Sequence, residues 1–296
     1  MAAAATETAQ LPGRRDTTAA RILRALARTP LQILLAAIGL LWLVPTIGLF
    51  ITSILPQSSV TTLGWWKIFA HPSLATFSNY NHLFHNAGLT GALKTTAYIS
   101  VGNTLIVIIV GALAGYAFAW LEFPGRDWLF IGVVGLLVVP LQMALIPMFR
   151  LYNTLGIGGT TLSVILFHAA FGLPFAIFLL RNFFVGIPKD ILESARIDGA
   201  NELVIFVRLI LPLGLPAIAS LAIFQFLWTW NDLLVALTMA QSKQPITVWI
   251  FGQLREFGTS IDVIAPASFI SLIVPLAVFF AFQRYFVQGL LAGSVK

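Results

Sequence analysis

Six long runs of apolar residues, each about 20 residues or more and nearly free of charge, limit what this chain can fold into. They fall near residues 31–55, 94–121, 128–151, 161–180, 213–233 and 266–286. In hydrocarbon no water pairs with backbone N–H and C=O groups, so an apolar run of this length closes its hydrogen bonds within itself, as an α-helix. Composition agrees: 58% of the 296 residues are hydrophobic and only 9% are charged, against about 25% charged in soluble domains. The expected fold is an all-α membrane protein with six transmembrane helices. The chain has no cysteine, which excludes disulfides and says nothing more about redox compartment.

The net charge of +6 invites a nucleic-acid reading, but no basic patch accompanies a nucleic-acid-binding motif. Orientation explains the charge better. With the N-terminus inside, inner segments hold 12 Lys and Arg residues and outer segments hold five (Lys67, Lys94, Arg150, Lys243 and Arg255). Cytoplasmic flanks carry this excess, so both termini and the segment 181–208 are expected in the cytoplasm. The expected organisation is then a partly disordered cytoplasmic segment (1–30) containing a short surface helix over 15–29, and a first transmembrane helix (31–55). An outer loop (56–93), a transmembrane core (94–288) and a cytoplasmic tail (289–296) follow. Residues 241–264 are read as another outer loop. Pro45, Pro140, Pro147, Pro174 and Pro275 are candidate hinges.

Against this oily background, Arg181–Arg208 is the one strongly polar inner segment, with eight of the chain's 28 charged residues. Pro188 pushes the residue before it out of the α region. Asp190 is placed to cap a helix, with Glu193 as the reciprocal partner of a capping box. Gly199 stands where a left-handed C-terminal turn favours a residue without Cβ, and Asn201 is placed to cap a second helix. Such spacing alone is equally compatible with an ordinary solvated loop between two transmembrane helices.

Its wording goes further. Glu193-Ser194-Ala195, three residues, Gly199, nine residues, then Leu209-Ile210-Leu211-Pro212 resembles the cytoplasmic EAA loop of ABC-importer permeases. The family pattern has Ala where Ser194 stands and Ile where Leu209 stands. The longer match IPKDILESARIDGA, the tail FQRYFVQGLLAGSVK and the segment FLWTWNDLLVAL resemble the carbohydrate branch, in particular relatives of the smaller membrane subunit of the maltose system. The resemblance covers about residues 75–296. It implies a coupling helix between transmembrane helices 4 and 5 that docks on an ATPase through Glu193, Ser194, Ala195, Asp198, Gly199 and Ala200. The implied partners are a second, unlike permease, two ATPase subunits that bind ATP and Mg2+, an external solute-binding protein, and a sugar.

No residues suggest catalysis or a cofactor in this chain itself. Gly156-Ile157-Gly158-Gly159 lacks the Lys-Ser/Thr of a phosphate loop, and His82-x-x-His85 lacks further metal ligands nearby. Candidates for a pathway accepting a hydroxyl-rich solute are Asn103, Gln142, His168, Gln225, Trp228 and Asn231. Each has a plainer role available, as an interhelical hydrogen bond or an interfacial anchor. Two other readings stay open at this point: an importer permease for glycerol phosphate or a polyol, and a gradient-driven carrier or channel. The carrier reading leans on His168 alone. A charge at the bilayer centre costs about 2.5–3.5 kcal/mol on insertion scales, and these spans are almost without charge.

Overall fold

A computed structural model describes the backbone of residues 18–85, 87–257 and 260–292, and the side chains of residues 29–62, 64–85, 88–255 and 260–284. The disorder expected for the first residues and the tail end therefore lie, for 1–17 and 293–296, outside the described residues. The chain divides into two compact units, Met1–Leu49 and Phe50–Lys296.

The described part of the first unit is helical. It belongs to α1 (Thr18–Ser53), whose membrane-length apolar portion is Thr29–Ser53. The separate surface helix expected over 15–29 is instead, from Thr18 on, continuous with the transmembrane helix. Pro30 and Pro45 both lie inside α1, each removing one backbone donor without ending the helix.

The second unit opens with α2 (Gln57–Leu63), two 3₁₀ turns and α3 (Ser78–His85). Asn79 ties this region down, its Nδ2 donating to the carbonyls of Ser53 (3.0 Å) and Leu55 (2.8 Å). The outer loop expected to reach residue 93 stops earlier, because α4 (Ala87–Trp120) begins seven residues ahead of the expected Lys94. Leu89 and Ala92 are buried beside Leu83, Ile246 and Ala267, and that packing makes the extra turns worth forming.

The third apolar run is not one helix. It is α5 (Arg126–Gly135), a 3₁₀ turn and α6 (Leu141–Thr154), bent by 102°. Pro140 stands at the break with an extended backbone, ψ 125°. It has no N–H to continue α5, and it starts the next helix. Among the described residues, five helices are thus long and apolar enough to cross a membrane, and six if the bent pair is one span. The chain continues through α7 (Thr161–Val185), α8 (Lys189–Ile197), α9 (Glu202–Ile205), a π-helical turn (Phe206–Ile210) and α10 (Leu211–Trp230). It ends with α11 (Leu234–Met239), α12 (Ile246–Phe257) and α13 (Ile261–Ala292). The expected loop 241–264 is therefore largely helical: Ile246 is fully buried, and its N–H donates to Thr96 Oγ1 at 2.7 Å. Among the described residues there is no strand.

The centre of the fold is α4 against α7, with α10 laid beside both. Small residues on α4 set the spacing. A Cβ on Gly111 would stand 2.9 Å from Ala176 Cβ, and one on Gly115 would stand 3.1 Å from Leu180 Cβ. Apolar side chains gain little by exchanging lipid for protein, so close backbone approach is what holds such helices together. The cluster around this crossing continues out of the membrane-length helices. It joins Val107, Ala112 and Tyr116 of α4 and Leu180 and Phe184 of α7 with Leu192 of α8 and Ile205 of α9.

Candidate functional site

The polar segment folds as two short helices around a left-handed glycine. α8 starts two residues earlier than a cap at Asp190 implies. Pro188 is its N-cap and makes no side-chain capping bond, so the capping box between Asp190 and Glu193 does not form. Glu193 turns instead to Lys189, one helical turn back, with Nζ and Oε1 2.7 Å apart. That hydrogen bond and charge hold the Glu193 carboxyl below its ordinary pKa. The C-terminal expectation is met: Gly199 has φ +82°, its N–H donates to the Arg196 carbonyl, and Ala200 N–H donates to the Ala195 carbonyl, both at 3.0 Å. These two bonds form the glycine-terminated Schellman arrangement. Asn201 caps α9, its Oδ1 accepting from Val204 N–H at 2.9 Å.

This local structure sorts the segment into two faces. Leu192 is wholly buried, and Ala195 and Ala200 are half-buried. Glu193, Ser194, Asp198 and Gly199 are exposed. The sequence reading missed Ile197 and Leu203, which are 86% and 66% exposed. The available signal was helical period: Ile197 lies five positions after the buried Leu192, on the opposite side of α8. Beneath α8 a second pairing was also missed. Arg196 Nε donates to Glu202 Oε1 at 2.9 Å, pushing the guanidinium pKa up, and Glu202 Oε2 accepts from the hydroxyl of Tyr116 on α4.

Toward the other end of α4 lies a buried polar seam between α4, α7 and α10. Asn103 Nδ2 donates to Thr229 Oγ1 at 2.6 Å, and Thr229 Oγ1 donates back to the Gln225 carbonyl at 2.9 Å. His168 Nδ1 lies 2.9 Å from the Val164 carbonyl, and its ring edge meets Trp228 with centroids 5.1 Å apart. His168 Nε2 is 3.6 Å from Asp232 Oδ2, too long for a hydrogen bond. Asp232 is otherwise occupied as the cap of α11, accepting from the N–H groups of Val235 (3.3 Å) and Ala236 (2.9 Å). Neither Asp232 nor Thr229 was singled out from sequence. An Asp shortly before an apolar run is the cap signal that marks Asp232.

The fold thus brings Asn103, His168, Gln225 and Trp228 together. The first three are at most 4% exposed, whereas Trp228 is 39% exposed. Gln225 Nε2 and Asn103 Oδ1 make no hydrogen bond among the described residues, and a Cβ on Gly172 would stand 2.6 Å from that Nε2. Asn231 is exposed and donates to the Leu227 carbonyl at 2.8 Å. Gln142, also exposed, stands apart at the start of α6.

Comparisons with known proteins give this arrangement its relatives. Over residues 107–291, more than half of the chain, it matches the family described as "Binding-protein-dependent transport system inner membrane component". It is 47% identical over 275 residues to the osmoprotective compounds uptake permease protein GgtD of Synechocystis sp., covering 91% of this chain and 92% of that one. It is 48% identical over 233 residues to the alpha-glucoside transport system permease protein AglG of Rhizobium meliloti, covering 76% of this chain and 61% of that one. Among solved structures, a bacterial ABC transporter involved in alginate import has a chain that superposes with TM-score 0.74 at 24% identity. The match covers 91% of this chain and 98% of that one, a likeness of fold. This chain belongs to the family of binding-protein-dependent transport system inner membrane components, the multi-pass permeases of ABC importers.

Proposed function

We propose that the chain is one of two unlike permease subunits of a sugar importer, and that α8 is its docking element for an ATPase. One observation carries the docking assignment. α8 is bounded by Pro188 and a left-handed Gly199 and held to the core through Leu192, yet its outer side leaves Glu193, Ser194, Asp198 and Ile197 exposed. Ile197, 86% exposed on this outer side, is apolar surface that a protein groove would bury. Six spans with both termini cytoplasmic, the bent α5–α6 pair counted as one, put α8 on the ATP side. The core then runs from the start of α4 to residue 288, and the chain carries no nucleotide or metal of its own. ATP and Mg2+ belong to two partner ATPases, whose closure moves α8 and switches the pathway between inward- and outward-facing states.

For the pathway, the accessible Gln142, Trp228 and Asn231 are the groups that touch solute, an aromatic face and two amides suited to a hydroxylated ring. Asn103, His168 and Gln225 lie behind them and hold α4, α7 and α10 in register. The AglG relative favours an α-glucoside or another oligosaccharide as the solute, delivered by an external binding protein. A second reading, an osmoprotective compound as the solute, is favoured by the GgtD relative.

Purification of the tagged chain from native membranes in mild detergent tests the assembly. The expected result is co-purification of an ATPase and a second permease, with ATP hydrolysis stimulated by a solute-binding protein loaded with its sugar. A homo-oligomer without an ATPase would overturn the reading.

A further inference from the structure

α8 buries one side chain fully in the core, Leu192, with Ala195 packed beside it, and its two ends are a proline and a glycine. Left with these alone it would slide or tilt on the apolar surface, because apolar contacts are non-directional. A single carboxylate removes that freedom. Glu202, the first residue of α9, receives Arg196 Nε from α8 at 2.9 Å and a terminal guanidinium nitrogen at 3.4 Å. Its Oε2, which takes that terminal nitrogen, also receives the hydroxyl of Tyr116 from α4. Three separate elements, α8, the root of α10 and α4, therefore meet at one group.

The surroundings show that the hydroxyl matters as much as the ring. The Tyr116 residue is 4% exposed and packs on Phe206, centroids 5.3 Å apart, at the first residue of the π-helical turn leading to α10. A phenylalanine would fill that space equally well, so the one thing the tyrosine adds is the bond to Glu202. One turn further along α4, Trp120 Nε1 donates to the Phe184 carbonyl at 3.0 Å, near the end of α7. Tyr116 and Trp120 thus secure α4 to both flanks of α8.

We propose that Tyr116 is a positioning residue for energy coupling. Acting through Glu202, it locks Arg196, so that a push on α8 moves α4 and α10 with it instead of being absorbed at the loop. This inference rests on the reading of α8 as the ATPase-docking helix. Charge-assisted hydrogen bonds are directional and among the stronger ones proteins make, which suits a strut that has to transmit movement in both senses.

The test uses the full complex, with the ATPases, the second permease and the binding protein, reconstituted with wild type, Tyr116→Phe, Glu202→Gln and the double variant. Three quantities are read: the ATPase retained on purification, the stimulation of ATP hydrolysis by loaded binding protein, and hydrogen exchange of the amides of residues 190–206. The expected result is full ATPase retention in all four. In both single variants stimulation falls roughly tenfold and exchange across α8 rises, and the double variant is no worse than Glu202→Gln. Wild-type stimulation and exchange in Tyr116→Phe would overturn the proposal, as would additive losses in the double variant. Absence of the ATPase from the wild-type preparation would instead overturn the docking assignment on which it rests.

Discussion

Gly111 of α4 and Ala176 of α7 meet where the two helices cross, and moving the methyl group from one to the other tests whether close approach sets this core. In Gly111→Ala the new Cβ would stand 2.9 Å from Ala176 Cβ, whereas carbon pairs are most favourable at about 3.5–4.0 Å. Neither atom is the end of a flexible side chain, so the backbones must part, an overpacking cost of about 1–3 kcal/mol. Against it stands about 1 kcal/mol gained from replacing glycine within a helix. Ala176→Gly alone loses that same propensity and about 0.8 kcal/mol of buried methyl. In the double variant the clash is gone. The next atoms near a Cβ at 111 are the Ala176 carbonyl carbon at 3.7 Å and Cα at 3.9 Å, which is ordinary contact. The two propensity changes cancel there, and the double variant should lie within about 1 kcal/mol of wild type. The interaction energy between the sites is then favourable by about 2–4 kcal/mol. Reversible unfolding in mixed detergent, followed by tryptophan fluorescence, measures all four proteins. Additivity within about 0.5 kcal/mol would refute the reasoning, since it would mean that α4 and α7 part without cost.

Gly199→Asp should abolish transport while leaving the protein in the membrane. A Cβ there meets open space in this chain, so the effect falls on the docked ATPase and on the φ +82° turn, and wild-type transport would show that this turn is not docked. Asp232→Ala should cost about 0.5–2 kcal/mol of stability by uncapping α11, while Asp232→Asn keeps the cap and loses less; equal losses would mean that the cap is not what matters. Because Lys189 depresses the Glu193 pKa, the pair supports the first turn of α8 above the usual carboxylate range and ceases to as pH falls through the lowered value. Protection of that turn against hydrogen exchange, taken relative to the intrinsic rate at each pH, should therefore fall on acidification and with added salt in wild type but not in Lys189→Ala, and identical profiles would contradict the assignment.

Much of this molecule is written in its local sequence. Apolar runs longer than the bilayer is thick have one backbone solution, so the helical class and most of the spans follow from composition and length. Gly199 and Asn201 were legible for the same kind of reason, because a left-handed turn and a side-chain cap depend on the residue and its immediate neighbours. The capping box failed by competition at the same short range: Lys189, four residues before Glu193, offered a full charge where Asp190 offered only a capping geometry. Other features needed the tertiary structure. Hydropathy is blind to direction, so residues 128–151 gave no sign of a 102° break, although Pro140 marked where one was permitted. The start of α4 depended on Leu89 and Ala92 finding Ile246 and Ala267, more than 150 positions away. The meeting of Tyr116, Arg196 and Glu202 depended on three helices arriving together, and that of His168 with Trp228 and Asp232 on α7 reaching the end of α10. A periodic pattern reports which face of a helix is apolar, and only packing decides which polar groups on other helices it will face.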